Sequence, residues 1–130
     1  MTMKKEFQMS TNRVGRLSAD VGSLAFRVTQ GLYYYERPGI HCIEANNGDG
    51  AEFYVYLPVG IESGTFNLGL GGQSPMIIHV TGNSEAELHP GKLELTVGGD
   101  AQFSGSFSGI DADGLAVENG SFRLELQAAV

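Results

Sequence analysis

Apolar and polar residues alternate with period two through one short segment of the chain after another, and this pattern most limits the fold. The side chains of a β-strand point alternately to the two faces of a sheet, so such segments are typical of half-buried strands. No segment has the 3.6-residue apolar stripe of an amphipathic helix, and the best helical candidate, residues 83–88, is too short to be stable alone. The alternating segments are residues 24–29, 53–57, 76–80, 92–97, 103–108 and 122–127.

Turn-forming sequences separate these segments. Glycine makes up 19 of the 130 residues, about twice its usual share of ~7%, and it supplies the positive φ that tight turns need. Strands therefore recur roughly every 8–12 residues, and the stretches between them are too short for βαβ crossovers. We predict an all-β domain of about eight to ten short antiparallel strands, either a closed β-barrel or a two-sheet β-sandwich. The turn sequences lie at residues 37–39, 46–50, 71–72, 81–83, 90–91, 98–100, 113–114 and 119–120.

The length of the chain fits one domain. Residues 1–12 are polar and aperiodic, so we expect a flexible N-terminal arm followed by a single all-β domain over residues 13–130. No stretch approaches the ~20 apolar residues of a membrane span, and no apolar segment follows Lys4 and Lys5 as it does in a secretory signal. We therefore expect a soluble protein that is cytoplasmic as written, or secreted or surface-anchored if a signal has been removed.

The charge balance narrows the choice of partners. The chain has 15 acidic and 8 basic side chains, a formal net charge of −7, and no cluster of Lys or Arg beyond Lys4 and Lys5. Binding to a polyanion requires basic side chains that neutralise phosphates, so we do not expect nucleic acid as a partner. The same deficit of basic residues argues against docking on an anionic membrane surface.

A four-residue pattern of small residue, glycine, hydroxyl residue and phenylalanine occurs three times. It predicts the start of a strand, where glycine permits a bulge or a close backbone approach and the phenylalanine enters the core. The spacings between the copies differ, so the pattern is not a solenoid repeat. The copies are residues 63–66 (SGTF), 104–107 (SGSF) and 119–122 (NGSF).

Residues 93–97, 104–107 and 117–122 resemble the C-terminal half of calycin-like β-barrel domains of uncharacterised bacterial proteins, many of which are lipoproteins. In those domains a strand, an SGTF strand and a closing strand with an NGxF motif follow one another. Leu57-Pro58 ahead of residues 63–66 is similar to an earlier element of the family. The resemblance covers roughly residues 51–127 and rests on turn and core residues. It implies a barrel and carries no catalytic residues, and the chain differs from the family in lacking a lipoprotein signal.

No pattern in the sequence has the arrangement of a catalytic or zinc site. The ten serines include no G-x-S-x-G nucleophile elbow, and the three histidines lie in or beside predicted strands. We therefore expect no catalytic residue and no enzyme activity. A zinc site needs three or four ligands, and the only close pairs are His41 with Glu44 and Glu87 with His89. We expect no metal and no cofactor.

Residues 111–114, Asp-Ala-Asp-Gly, are similar to a fragment of a calcium-binding loop, with Glu118 nearby. Leu115 and Val117 stand where further calcium ligands are needed. Asp and Gly also favour hairpin turns, so we predict a turn that does not bind calcium.

The chain has a single cysteine, Cys42, so no internal disulfide is possible. Cys42 lies in the mostly apolar stretch of residues 40–43. Free cysteines of this kind usually pack as small hydrophobic residues, and we predict a buried, unreactive thiol.

Four tyrosines are the candidate binding residues. Tyr33 and Tyr35 face one side of their strand, and Tyr54 and Tyr56 lie opposite the apolar residues 53, 55 and 57. If residues 40–45 form the strand between them in a meander, the two pairs share a sheet face about 10 Å apart. That face is either a second side of the core or an exposed aromatic platform for a partner chain or a sugar ring.

These observations together predict a non-catalytic binding module. The first candidate function is protein–protein interaction, including self-association into a homo-oligomer. The alternative is binding of a carbohydrate or another small ligand, through the aromatic face or a barrel mouth. A pocket that holds paired carboxylates would instead favour an enzyme.

Overall fold

The computed structural model describes residues 11–69 and 74–126, and every regular element within them is a β-strand. This confirms the all-β class that the alternating segments predict. In the same residues no helix has the length and apolarity needed to cross a membrane. The strands are β1 (Thr11–Arg13), β2 (Gly15–Val21), β3 (Leu24–Val28), β4 (Leu32–Arg37), β5 (Ile40–Asn46), β6 (Ala51–Pro58), β7 (Gly64–Leu68), β8 (Met76–Thr81), β9 (Ser84–Glu87), β10 (Gly91–Val97), β11 (Phe103–Ile110) and β12 (Ala116–Leu124).

The strands form two antiparallel sheets that do not close into a barrel. The first sheet has the order β1-β4-β5-β6-β8-β9, and the second has the order β3-β2-β12-β11-β10-β7. The shortest connection between the two sheets is the single residue Val14, which joins β1 to β2. The fold is therefore a two-sheet sandwich, one of the two predicted architectures. The closed barrel that the family resemblance implies is not formed.

The described residues contain twelve strands rather than about eight to ten, in part because two strands are very short. The first, β1, has three residues and β9 has four, and each forms an edge of the first sheet. Short edge strands are one way to limit unpaired backbone groups. Thr11 and Asn12 belong to β1, although the sequence places them in the N-terminal arm. The rest of the predicted arm, residues 1–10, lies outside the described residues.

The hydrophobic core lies between the two sheets. Phe53 of β6 packs against Phe26 of β3 and Phe107 of β11, with ring centroids 5.0 and 5.9 Å apart. These aromatic contacts join the first sheet to the second across the core. The largest fully buried hydrophobic side chains are Phe53, Leu17, Leu32, Ile43, Leu57, Ile77, Leu88, Leu93, Leu124, Val55 and Val117.

Two of the three glycine–phenylalanine motifs have the close backbone approach predicted from the sequence. A Cβ atom on Gly105 would lie 2.7 Å from the carbonyl oxygen of Glu94, and one on Gly120 would lie 2.5 Å from the Phe107 ring. Gly120 also lies within a register shift of the β12–β2 ladder, as expected for a bulge. Gly64 differs, because a Cβ atom there would meet its nearest neighbour at an ordinary 3.7 Å.

The side of β8 that faces the core includes a histidine, whereas its outward side is apolar. Ile77 and His79 point inward, where Ile77 is fully buried and the His79 ring stacks on Phe53 with centroids 4.9 Å apart. The outward side carries the three residues that alternate with them, Met76, Ile78 and Val80. A histidine is thus enclosed between the sheets, while apolar side chains contribute to the outer surface.

Candidate functional site

The four candidate tyrosines share the outer face of the first sheet. Tyr33 and Tyr35 lie on β4, Tyr54 and Tyr56 lie on β6, and β5 pairs with both strands. This is the meander that the sequence predicts. We call the outer surface that carries these four side chains the tyrosine face.

The tyrosine face is not a second side of the core. The core-facing side of β6 is formed by the buried residues Phe53, Val55 and Leu57, which alternate with the two tyrosines. The second sheet packs on that side, as the contact of Phe53 with Phe26 requires. Of the two alternatives for these tyrosines, the structure has the outward-facing one.

A cross-strand row runs over the tyrosine face from β4 to β9. Tyr33 lies opposite Glu44, Glu44 opposite Tyr54, Tyr54 opposite Ile78, and Ile78 opposite Glu87. Tyr33, at the β4 end of this row, is 44% exposed. The row thus alternates aromatic, acidic and apolar side chains.

A second row buries the single cysteine. Cys42 lies between Tyr35 and Tyr56 in the ladder, and its own exposure is 0%. The Tyr56 ring stacks on Tyr54 with centroids 6.0 Å apart, and the Arg37 guanidinium lies 5.3 Å from the centroid of the Tyr56 ring. The predicted burial of the Cys42 thiol is confirmed, and it is achieved on the outer face by the flanking aromatic side chains.

Hydrogen bonding and burial keep the hydroxyl groups of Tyr35 and Tyr54 protonated. The Tyr35 hydroxyl donates to Oε2 of Glu44 at 2.8 Å, and burial followed by this carboxylate raises the Tyr35 pKa. Burial, together with the nearby charges of Glu52 and Glu44, raises the pKa of Tyr54 to about 12. These hydroxyl groups therefore remain donors at any ordinary pH.

Carboxylates surround the aromatic rings. The register places Glu44, Glu52, Glu85 and Glu87 on the same outer face. One oxygen, Oε2 of Glu87, is buried and has no hydrogen-bond partner among the described residues. A buried carboxylate oxygen without a donor is energetically costly. The tyrosine face is thus both aromatic and acidic.

A second feature, missed by the sequence reasoning, is a buried pair of titratable side chains. Nδ1 of His79 lies 3.1 Å from Oδ2 of Asp111, and the two residues are only 7% and 2% exposed. The sequence separates them by 32 positions. The only local signal was a histidine in a strand whose two sides are both largely apolar, which is why the pair went unrecognised.

Asp111 also organises the predicted turn at residues 111–114. Its Oδ1 atom accepts hydrogen bonds from the backbone N–H groups of Asp113 and Leu115, at 3.0 and 2.9 Å. The backbone N–H of Gly114 donates to the Asp111 carbonyl, which closes the turn. The Asp111 carboxylate is thus occupied by protein donors. That this turn does not bind calcium stays a prediction, which follows from this geometry.

The other histidines have separate surroundings. Nδ1 of His41 lies 2.7 Å from the Tyr34 hydroxyl, and Nδ1 of His89 lies 3.3 Å from the Leu68 carbonyl oxygen. Within residues 11–69 and 74–126, no three His, Cys, Asp or Glu side chains are grouped as metal ligands would be.

Comparison of the chain with protein-family models, with curated proteins and with solved structures gave no match.

Proposed function

We propose that this domain is a non-catalytic binding module that holds a protein partner on its tyrosine face. The observation that carries the proposal is the assembly of Tyr33, Tyr35, Tyr54 and Tyr56 on one outer sheet face. Tyrosine is enriched at protein interfaces because it joins a large apolar ring to a polar hydroxyl.

The charge of the face defines the chemistry of the partner. Four carboxylates, those of Glu44, Glu52, Glu85 and Glu87, accompany the tyrosines. The whole chain has a net charge of −7. A partner segment with Lys or Arg beside apolar anchors complements this surface.

The charge and the packing of this face disfavour the other two candidate functions. In a symmetric dimer built on the face, the carboxylates of two copies would be brought together, which costs free energy. A sugar ring stacks on the open face of an aromatic ring, and the Tyr56 ring already contacts Tyr54 and Arg37. Self-association and carbohydrate binding therefore become alternative outcomes of the test.

The outer face of the second sheet provides an internal comparison. Its central residues are small and hydroxylated, such as Ser18, which lies opposite Ser121, which in turn lies opposite Ser106. All five tyrosines of the chain lie instead in β4 and β6 of the first sheet. The tyrosines are thus confined to the first sheet, whereas the second sheet carries phenylalanines such as Phe26, Phe107 and Phe122.

The experiment is selection of a random peptide library against the full chain, followed by affinity measurements on the double variant Tyr54→Ser with Tyr56→Ser. We expect the selected peptides to be basic and apolar, and to bind the double variant about tenfold more weakly or worse. The free energy of unfolding should fall by no more than about 2 kcal/mol, since the rings face outward but are partly buried against each other. The matched control is Val59→Ser with Leu126→Ser, two exposed apolar residues that lie outside the face.

A charge-reversed variant tests the acidic part of the proposal. Glu52→Lys with Glu85→Lys should weaken binding of the selected peptides and reduce its dependence on salt.

Selection of no peptide that depends on the tyrosines would overturn the proposal. A dimer in sedimentation that the double variant abolishes would replace it with self-association, and a tyrosine-dependent signal on a glycan array would replace it with carbohydrate binding. A loss of several kcal/mol of stability would make the tyrosines structural.

A further inference from the structure

One end of the sandwich contains a cleft between the two sheets, which we call the end cleft. Its volume is about 590 Å³, within the range of small-molecule sites. The turn between β2 and β3, the turn between β5 and β6, the β8 strand end and the turn between β11 and β12 form its walls. Loops gathered at one end of a rigid sandwich are a common place for a binding site.

The walls of the end cleft leave large apolar side chains uncovered. Leu24 is 73% exposed and Leu115 is 45% exposed, and both line the cleft. Phe26 lies deeper and belongs to the core. An apolar ligand bound in the cleft would bury these exposed rim leucines.

The polar group at the inner end of the cleft has a fixed orientation. The His79 ring is held between its stack on Phe53, at 4.9 Å, and its hydrogen bond to Asp111, at 3.1 Å. In the tautomer that donates Nδ1–H to Asp111, Nε2 carries a lone pair. His79 lines the cleft, and with Nδ1 engaged, Nε2 is the ring nitrogen left to accept a hydrogen bond from a ligand.

The charged side chains that line the cleft are acidic. Asp49 and Asp113 are among its lining residues, and those residues include no Lys or Arg. Asp113 is itself held in place by the Ser84 hydroxyl, which donates to its Oδ2 at 3.1 Å. A cationic ligand is favoured and an anionic one disfavoured at such a mouth.

We propose that the end cleft binds a small molecule that joins an apolar body to a protonated amine. The apolar body lies against Leu24, Leu115 and Phe26, and the ammonium group lies near the Asp49 and Asp113 carboxylates. Where the apolar body of the ligand carries an N–H of its own, as in tryptamine, that group donates to Nε2 of His79. This site is separate from the tyrosine face, so it stands whether or not that face binds a protein.

The test uses three amines and the three carboxylic acids of matching shape as probes of the full-length chain. The amines are phenethylamine, tryptamine and cyclohexylethylamine, and the acids are phenylpropionate, indolepropionate and cyclohexylpropionate. Binding is followed by the imidazole NMR signals of His79 and the methyl signals of Leu24 and Leu115. We expect at least one amine to bind with a dissociation constant of about 1 mM or tighter, an affinity that a ligand of so few atoms can reach. Its matching acid should bind at least about tenfold more weakly.

Variants distinguish the cleft from non-specific binding. Leu24→Ser with Leu115→Ser removes exposed rim side chains, and we expect it to weaken amine binding about fivefold or more without unfolding the domain. Asp49→Asn should reduce the preference for amines over acids. Val59→Ser is the matched control, since Val59 is also exposed and follows β6 at the end opposite Ala51. The proposal is overturned if none of the three amines shifts the His79 and rim signals. It is also overturned if acids bind as tightly as amines or if the rim variant binds as well as the control.

Discussion

The His79 imidazole and the Asp111 carboxylate form a hydrogen bond of 3.1 Å that links a strand of the first sheet to the turn that follows β11 of the second. The link is buried, and the carboxylate also accepts the two backbone N–H groups of Asp113 and Leu115. One side chain therefore stabilises both the turn and the contact between the sheets at the end cleft.

We predict that Asp111→Ala lowers the free energy of unfolding by about 2–4 kcal/mol, because buried donors lose their acceptor. Urea denaturation of both proteins measures the difference. Asp113→Ala is the control two residues away: its carboxylate accepts an exposed hydrogen bond from Ser84, and we expect a loss of about 0.5 kcal/mol or less. Equal losses in the two variants would contradict the role given to Asp111.

Glycine to alanine substitutions in the three repeated motifs should have unequal costs. A Cβ atom at Gly105 meets a backbone oxygen at 2.7 Å, and one at Gly120 meets the buried Phe107 ring at 2.5 Å. We expect each of these variants to lose about 1–3 kcal/mol of unfolding free energy, the usual cost of overpacking. Gly64→Ala is the matched control, since its Cβ has ordinary contacts at 3.7 Å, and we expect a change of about 0.5 kcal/mol or less. Thermal and urea denaturation check the order, and a Gly64 variant as unstable as the other two would refute it.

His41 should make the stability of the domain depend on pH. Burial lowers the pKa of His41, and the nearby Glu36 offsets this only in part. The unfolded imidazole titrates at its ordinary pKa of about 6.5, so between the two pKa values the unfolded chain binds more protons than the folded one. The contribution of His41 to the free energy of unfolding is therefore present above pH ~6.5 and is lost as the pH falls through the folded-state pKa.

Urea denaturation at pH 7.5 and pH 5.5 tests this, with His41→Gln as the comparison. We expect part of the loss of stability in this interval to disappear in the variant. The carboxylates whose pKa values are lowered, those of Asp20 and Glu125, act at lower pH, below about 4. An unchanged pH dependence in the variant would show that His41 does not contribute.

The Cys42 thiol should report on the integrity of the tyrosine face. Cys42 is 0% exposed and lies between Tyr35 and Tyr56. We predict that a thiol reagent such as Ellman's reagent reacts slowly with the native domain, and about tenfold or more faster with the Tyr56→Ser variant, which uncovers the sulfur. Tyr33→Ser is the control, because Tyr33 lies opposite Glu44 instead. Equal reactivity in both variants would mean that the flanking rings do not shield the thiol.

The elements that depend on local chemistry could be predicted from the sequence. Period-two alternation and glycine-rich turns predicted an all-β chain, because strand side chains alternate and short links force neighbouring strands to run antiparallel. For the same reason the common face of Tyr33, Tyr35, Tyr54 and Tyr56 was predictable: two short links leave β5 no place except between β4 and β6. The burial of Cys42 was also predicted from its apolar neighbours in the sequence, but the structure produces it through the cross-strand rings of Tyr35 and Tyr56.

The way in which the two sheets lie against each other could not be predicted, because it depends on contacts between distant residues. Both sides of β8 carry apolar side chains, so its alternation did not show that Ile77 and His79 face the core. Nor did any local pattern pair His79 with Asp111, since that contact joins different sheets. Sandwich and barrel have the same strands and turns and differ only in whether their edges meet. These features depend on contacts between residues far apart in the chain, and such contacts leave no periodic trace in the sequence.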